Sequence, residues 1–281
     1  TPYNRARPSH QDLCEFFASQ GYLTAIQDCR GRYQSEGDFV LLANEGADGY
    51  DTIEWVAAQP WSNGRVGMVG SSHGGIVQTA ASFKRPPHLT AIWVDVSPTN
   101  IFAHEAREGG AMGLDMFGAL FLHAYDSQEI RDDPLAQREI LEGWANVRGY
   151  VDSMPFKPGQ TPLRVVPNLE KVLFHYYWDG EYNDFWAQEI CDQARFYHKA
   201  ADIPGVFSDG WYDAFAADAT GQYAAMAAQN TSPQRLLMGP WNHGGLRSGS
   251  THTGDVDFGP DAGYSSDKYN ELRLRWFDRW L

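Results

Sequence analysis

The chain has 281 residues, 43% of them hydrophobic and 21% charged, an ordinary globular balance that can bury a core without disulfides or metals. A net charge of −14 with no Lys/Arg run argues against nucleic acid and acidic lipid as partners, and no window approaches the roughly eighteen unbroken apolar residues that a membrane span needs. Three widely spaced cysteines, Cys14, Cys29 and Cys191, suggest neither a disulfide framework nor a CxxC zinc site and read as buried or free thiols. The opening TPYNRARPSH lacks the basic and then apolar pattern of a signal peptide. The expectation is a soluble protein, cytoplasmic ahead of secreted.

Behind Ser9 as a cap, SHQDLCEFFASQG places apolar residues at 13, 16 and 17 and stops at Gly21, which predicts a short helix. YLTAIQDC, residues 22–29, reads as a buried strand followed by the turn-rich RGRYQSEGDF. EGADGYDTIEWVAAQP predicts a helix with Ile53, Trp55 and Val56 on one side, closed by Pro60; its acidic first half suits the positive end of the helix dipole. RVGMVG is the next strand, GGIVQTAASF a helix and LTAIWVDVS a further strand. This alternation over residues 21–97 has the spacing of a parallel sheet with right-handed crossovers. Over residues 101–200 it fails, and that aromatic-rich stretch reads as a mainly helical insertion. IPGVFSDGW and RLLMGPWNHGG then predict two more strands ending in loops, and SDKYNELRLRWFDRWL an amphipathic closing helix.

VGMVGSSHGG contains G-x-S-x-G as Gly70, Ser71, Ser72, His73 and Gly74. In a nucleophile elbow the serine sits on a sharp strand-to-helix turn whose crowding demands glycines, so the working hydroxyl falls on Ser72 and Ser71 is a bystander. A serine hydroxyl is a weak nucleophile at neutral pH. It needs an imidazole to take its proton and a carboxylate to fix the imidazole tautomer, in the chain order Ser, acid, His. Asp209 and Asp213 in FSDGWYDAF are the candidate acids, and His243 in GPWNHGG, standing after a strand, is the candidate base. The other histidines lack such a position, and His73 is adjacent to Ser72 on a tight turn where neighbouring side chains diverge. A metal hydrolase is disfavoured because there is no H-E-x-x-H and the histidines lack paired helical spacing.

Beyond the elbow, TPYN, QDCRGRYQSEGDF, NEGADGYDTIEWVAAQPWSNGRVGMVGSSHGG, DGWYDAF and GPWNHGG resemble, in order and spacing, the successive motifs of the cocaine-esterase-like hydrolases. That family is related to X-prolyl dipeptidyl aminopeptidases, α-amino-acid ester hydrolases and glutaryl cephalosporin acylases. The resemblance implies Ser72 as nucleophile, Asp213 rather than Asp209 as acid, and His243 as base. It further implies Tyr3 and the backbone N–H of His73 as oxyanion donors, with Phe215 near the acyl pocket. Where the family usually has tyrosine after the nucleophile this chain has His73, which should preserve catalysis and change the local packing.

The expected architecture is therefore an α/β-hydrolase fold, a mostly parallel sheet flanked by helices. Residues 1–100 plus 201–281 would form the core, and 101–200 a mainly helical cap in which HYYWDGEYNDFW offers an apolar pocket. The chain looks like the core and cap of a longer protein, without the first strands and the C-terminal jelly roll. The expected activity is acyl transfer from a small-molecule ester or amide, with no cofactor and no metal; assembly into a homo-oligomer is compatible with the sequence. Acylase or X-Pro dipeptidyl aminopeptidase specificity is one alternative, for which Asp115, Asp126, Glu181 and Asp184 could supply carboxylates toward an amino group. A non-catalytic binding protein on the same fold is another.

Overall fold

A computed structural model describes residues 1–114 and 116–281. Helix α1 (Pro8–Ser19) begins with Pro8 in its first turn and Arg7 as N-cap, without a side-chain cap. Ser9 is thus inside the helix rather than capping it, because a proline, with φ preset and no N–H to satisfy, starts a helix unaided. Residues 22–29 correct a second expectation. They form no strand, and Leu23 is exposed; an apolar run becomes a strand only where another strand accepts its hydrogen bonds. This segment is tied instead by Cys29 N–H donating to Thr1 O (2.8 Å) and by Arg5 against buried Asp28 (3.4 Å).

From α2 (Glu45–Ala57) onward the alternation follows expectation: β1 (Val66–Ser71), α3 (His73–Phe83) and β2 (Leu89–Asp95). Helices α4 (Met116–Tyr125), α5 (Pro134–Ala145), α6 (Val147–Asp152) and α7 (Pro167–Trp178) succeed one another before β3 (Gly205–Gly210). Helix α8 (Ala216–Gln229), which no sequence motif announced, joins β3 to β4 (Gln234–Gly239). Parallel strands cannot be joined by a tight turn, so some crossover is obligatory there. A small hairpin of β5 (His252–Thr253) and β6 (Val256–Asp257) precedes α9 (Ser266–Trp280).

Among the described residues the main sheet runs β1-β2-β3-β4, all parallel. Successive side chains of β2 point to opposite faces. Ile92 and Val94 pack with Ile53, Phe83 and Met226 under α2, α3 and α8, while Ala91 and Trp93 pack with Phe17, Tyr269 and Phe277 under α1 and α9. A third apolar cluster holds the helices of the 101–200 stretch together, with Phe121, Ile140, Leu173 and Trp186 fully buried. No helix among the described residues is long and apolar enough to cross a membrane.

One charged group lies at the middle of this arrangement. Asp95, at the end of β2, is fully buried and pairs with the equally buried Arg273 of α9. It also accepts from Tyr269 Oη (2.6 Å), Trp93 Nε1 (2.7 Å) and Ser208 Oγ. Removing one partner of a buried pair leaves an uncompensated charge, which typically costs about 3–5 kcal/mol. Arg273→Ala is therefore expected to lower the urea midpoint severely, whereas Asp95→Asn combined with Arg273→Met, which removes both charges, recovers a large part of the loss. Equilibrium unfolding of the two variants checks this.

Candidate active site

Ser72 follows directly on β1 and caps α3 with φ 58° and ψ −123°, a backbone region that costs a non-glycine residue on the order of 1–3 kcal/mol. The conformation is held from both sides. Ser72 N–H donates to Asp95 O (2.9 Å), and Ser72 O accepts from Gly75 N–H (2.8 Å). Gly75 is obligatory for space, since a Cβ there would lie 2.4 Å from Ser97 Cβ, whereas Gly74 has open surroundings. The glycines of the elbow thus have unequal reasons.

Ser71 is more than a bystander. Its hydroxyl accepts from Arg247 Nη2 (3.0 Å) and stands 3.5 Å from Asp95 Oδ2. Arg247 belongs to the short turn Gly245–Arg247 that follows His243. The strand leading into Ser72 and the loop bearing His243 are thereby joined through the side chain of residue 71.

The loops after β3 and β4 are stitched together by Trp211 N–H to Gly239 O (2.8 Å) and Tyr212 N–H to Trp241 O (3.0 Å). Their approach is so close that a Cβ on Gly210 would lie 1.9 Å from Trp241 O. This crossing brings His243 Nδ1 to 2.8 Å from Asp213 Oδ2, while Asp213 Oδ1 accepts from Phe215 N–H (3.1 Å). Phe215 is buried, with its ring edge-on to the imidazole at 5.4 Å. Asp213 is buried and His243 half exposed. Among the described residues no hydrogen bond joins the Ser72 hydroxyl to His243; such contacts are often long without substrate and tighten when it binds.

The Tyr3 phenol interacts with the Ser72 side chain and with the backbone of His73. Burial raises its pKa, outweighing the opposing effect of Ser72, so at neutral pH the hydroxyl keeps its proton and can donate. Tyr3 stacks on His123 of α4 (5.8 Å, 15° between planes). His123 is buried, its Nδ1 has no hydrogen-bond partner, and burial followed by the nearby His73, Arg32 and Arg7 holds its pKa well below the usual histidine range. Sequence position gave no reason to single out this histidine; only the fold brings it to Tyr3.

The His73 side chain turns away from the base position. It is buried, with Nε2 2.9 Å from Glu45 Oε1 at the start of α2. Burial alone would raise the Glu45 carboxyl, but the His73 hydrogen bond and charge hold it below its ordinary value. Asp209, the acid passed over in favour of Asp213, is fully buried at the end of β3. Burial, then the charge of Asp213, push its carboxyl up to about 8. Of the other carboxylates considered, Asp126 accepts from Tyr33 Oη (2.5 Å), Glu181 and Asp184 are exposed, and Asp115 lies outside the described residues. Tyr176 and Trp186 of the aromatic stretch are core residues. No group of three or more His, Cys, Asp or Glu among the described residues is arranged to hold a metal ion.

A parallel sheet covered by helices on both faces, with a strained serine where a strand meets a helix, defines an α/β-hydrolase fold. Residues 1–245 match the family described as X-Pro dipeptidyl-peptidase (S15 family), and the chain belongs to it. It is 28% identical over 270 residues to the cocaine esterase of Rhodococcus sp. strain MB1 Bresler, a match covering 94% of this chain and 46% of that protein. Among solved structures, it is similar to an aminopeptidase from a marine sediment Thaumarchaeota archaeon (TM-score 0.68, 19% identity, covering 98% of this chain and 48% of that one). An α-amino acid ester hydrolase is similar too (TM-score 0.67, 20% identity, 100% and 48%). The chain thus spans just under half the length of each of these relatives.

Replacing His73 by alanine leaves Glu45 buried without its partner, an effect on the order of 1–3 kcal/mol. A group held below its unfolded pKa contributes stability that is present above the unfolded value and lost as the pH falls through the folded one. His73→Ala is accordingly expected to be clearly less stable than the parent at pH 7, with a gap that narrows as Glu45 protonates in acid. Urea unfolding from pH 7 down to pH 4 measures it.

Proposed function

We propose that this chain is a serine hydrolase acting by acyl transfer on a small-molecule ester or amide. Ser72 attacks the carbonyl as His243 takes its proton, Asp213 holds the imidazole through Nδ1, and His243 then protonates the leaving group before water releases the acyl group. The Tyr3 phenol and the His73 backbone N–H are the donors assigned to the developing oxyanion. Donors aimed at charge that appears only in the transition state lower the barrier without tightening the ground state. The observation that carries this reading is the 2.8 Å bond between His243 and Asp213, made on loops beyond the C-terminal ends of β3 and β4, in the same sheet whose β1 leads into the strained Ser72.

The names of the relatives bear on the substrate. The names of the cocaine esterase and the α-amino acid ester hydrolase support an ester, that of the aminopeptidase an amide, and the family description an amide next to proline. Ester hydrolysis is preferred because a stabilised alkoxide leaving group asks less of the acid–base pair than an amine does. Parallel assays of p-nitrophenyl esters, phenylglycine esters and Ala-Pro anilides discriminate among these, and turnover of the anilide alone would overturn the ester preference.

Ser72→Ala is expected to abolish turnover and labelling by a fluorophosphonate while leaving the fold intact. An unlabelled parent protein would remove the serine-hydrolase reading. Tyr3→Phe, which deletes one oxyanion donor, is expected to lower kcat by about 100- to 1000-fold with little change in KM. Steady-state kinetics on the preferred ester measure both.

A further inference from the structure

We propose that Asp209 is a positioning residue for Asp213: the two carboxyls share one proton, Asp209 holds it, and its hydroxyl donates to Asp213, fixing that carboxylate for His243. The assignment rests on the serine-hydrolase reading for its catalytic consequence, but its physical basis stands on the packing of β3. Asp209 is fully buried, its Oδ1 accepts the backbone N–H of Gly210 (2.7 Å), and its Oδ2 is buried with no hydrogen-bond partner. The Asp213 side chain acts on the group at close range, and Oδ2 is the oxygen left free to meet it. Two carboxylate oxygens cannot hydrogen-bond unless one of them carries a proton. An ionised carboxylate with one oxygen unserved in the interior is strongly disfavoured, so the group neutralises instead.

The Gly210 N–H favours the ionised form of Asp209, but burial and the charge of Asp213 outweigh it. The charges acting on it are Asp213 and Asp218 of α8, both negative. The nearby cationic candidates are engaged elsewhere. His104 lies 2.9 Å from Asp218 Oδ1, His243 is bonded to Asp213, and Arg247, on the turn packed against β3, donates to Ser71. Which carboxyl of the pair holds the proton follows from their partners. Asp213 already receives Phe215 N–H and His243 on its two oxygens, interactions that favour the anion, whereas Asp209 receives a single N–H.

The consequence is a pH signature. A carboxyl raised to about 8 in the folded state makes the native protein bind more protons than the unfolded chain between the ordinary aspartate pKa and that value. Stability conferred by the neutral form is then progressively lost as the pH rises through this window. Asparagine keeps a neutral donor at the position at every pH, and alanine removes it.

The test compares the full chain with Asp209→Asn and Asp209→Ala, using thermal unfolding from pH 5 to pH 9 and p-nitrophenyl ester kinetics from pH 6 to pH 10. The expected results are a melting temperature for Asp209→Asn that rises relative to the parent as the pH increases, and an alkaline fall in parental kcat that Asp209→Asn lacks. Asp209→Ala should lose about tenfold in kcat with KM unchanged. A melting-temperature difference that is constant with pH, or an Asp209→Asn as impaired as Asp209→Ala, overturns the proposal. Fluorophosphonate labelling of the parent keeps the two readings separate. A protein that is not labelled refutes the hydrolase assignment, while the pH dependence of the melting temperatures still decides whether Asp209 carries the proton.

Discussion

The buried carboxylate of Asp95 is the interaction on which the rest of the arrangement depends. A charge with no solvent around it must be met by donors from every side, and here they come from places far apart in the chain: Trp93, Ser208, Tyr269 and Arg273. Satisfying one side chain therefore brings β2, β3 and α9 into register at the end of the sheet where the loops begin. The backbone carbonyl of the same residue accepts from Ser72 N–H, so the strained turn is anchored at the point where the packing is most constrained. Strain at a single residue persists only when its surroundings over-determine it, and Asp95 supplies that condition. Ser71 extends the constraint to Arg247 and hence to the loop that carries His243.

Around Ser72 the electrostatics divide into two territories. On the Tyr3 side are a phenol kept protonated by burial and an imidazole at His123 held uncharged mainly by burial, with the cations Arg7 and Arg32 nearby. On the His243 side the groups are acidic, with Asp213 bonded to the imidazole and Asp209 and Asp218 close behind. Under the proposed mechanism this division has a physical sense. A developing oxyanion is served by fixed dipoles and by positive charge near them, and a developing imidazolium by a nearby carboxylate. Under the proposed proton assignment Asp209 adds no further negative charge beside Asp213 and Asp218.

What was legible in the sequence was local or was carried by family likeness. The elbow could be read because its glycine spacing follows from sterics within a few residues, and β1, β2, β3 and β4 because apolar runs bounded by turns are short-range signals. Tyr3 had no such signal and was implied only by the resemblance of its surrounding motif. The contacts that could not be read are long-range ones. Asp95 and Arg273 are 178 positions apart and Ser71 and Arg247 are 176 apart, and no periodicity connects them. The segment 22–29 failed for the opposite reason, since its apolar pattern was real but pairing depends on a neighbouring strand that the pattern does not encode. Helix α8 could have been found from its run of alanines, which are the strongest helix formers.

His73 stands where the resemblance implies a tyrosine, and the role proposed for it does not require its side chain. The atom assigned to the oxyanion is its backbone N–H, which every residue but proline supplies in the same place once the turn is set. Its side chain is free to serve another purpose, and here it leads away from Ser72 toward Glu45. That contact couples the first turn of α3 to the first turn of α2, so the elbow is braced by a buried polar pair as well as by apolar packing. A tyrosine at this position could also donate to Glu45, but its larger ring would have to fit beside His123, whose ring centre lies 6.3 Å from that of His73. The side chains of His73 and His123 meet edge to face behind the proposed oxyanion site, and the backbone donor assigned there depends on neither.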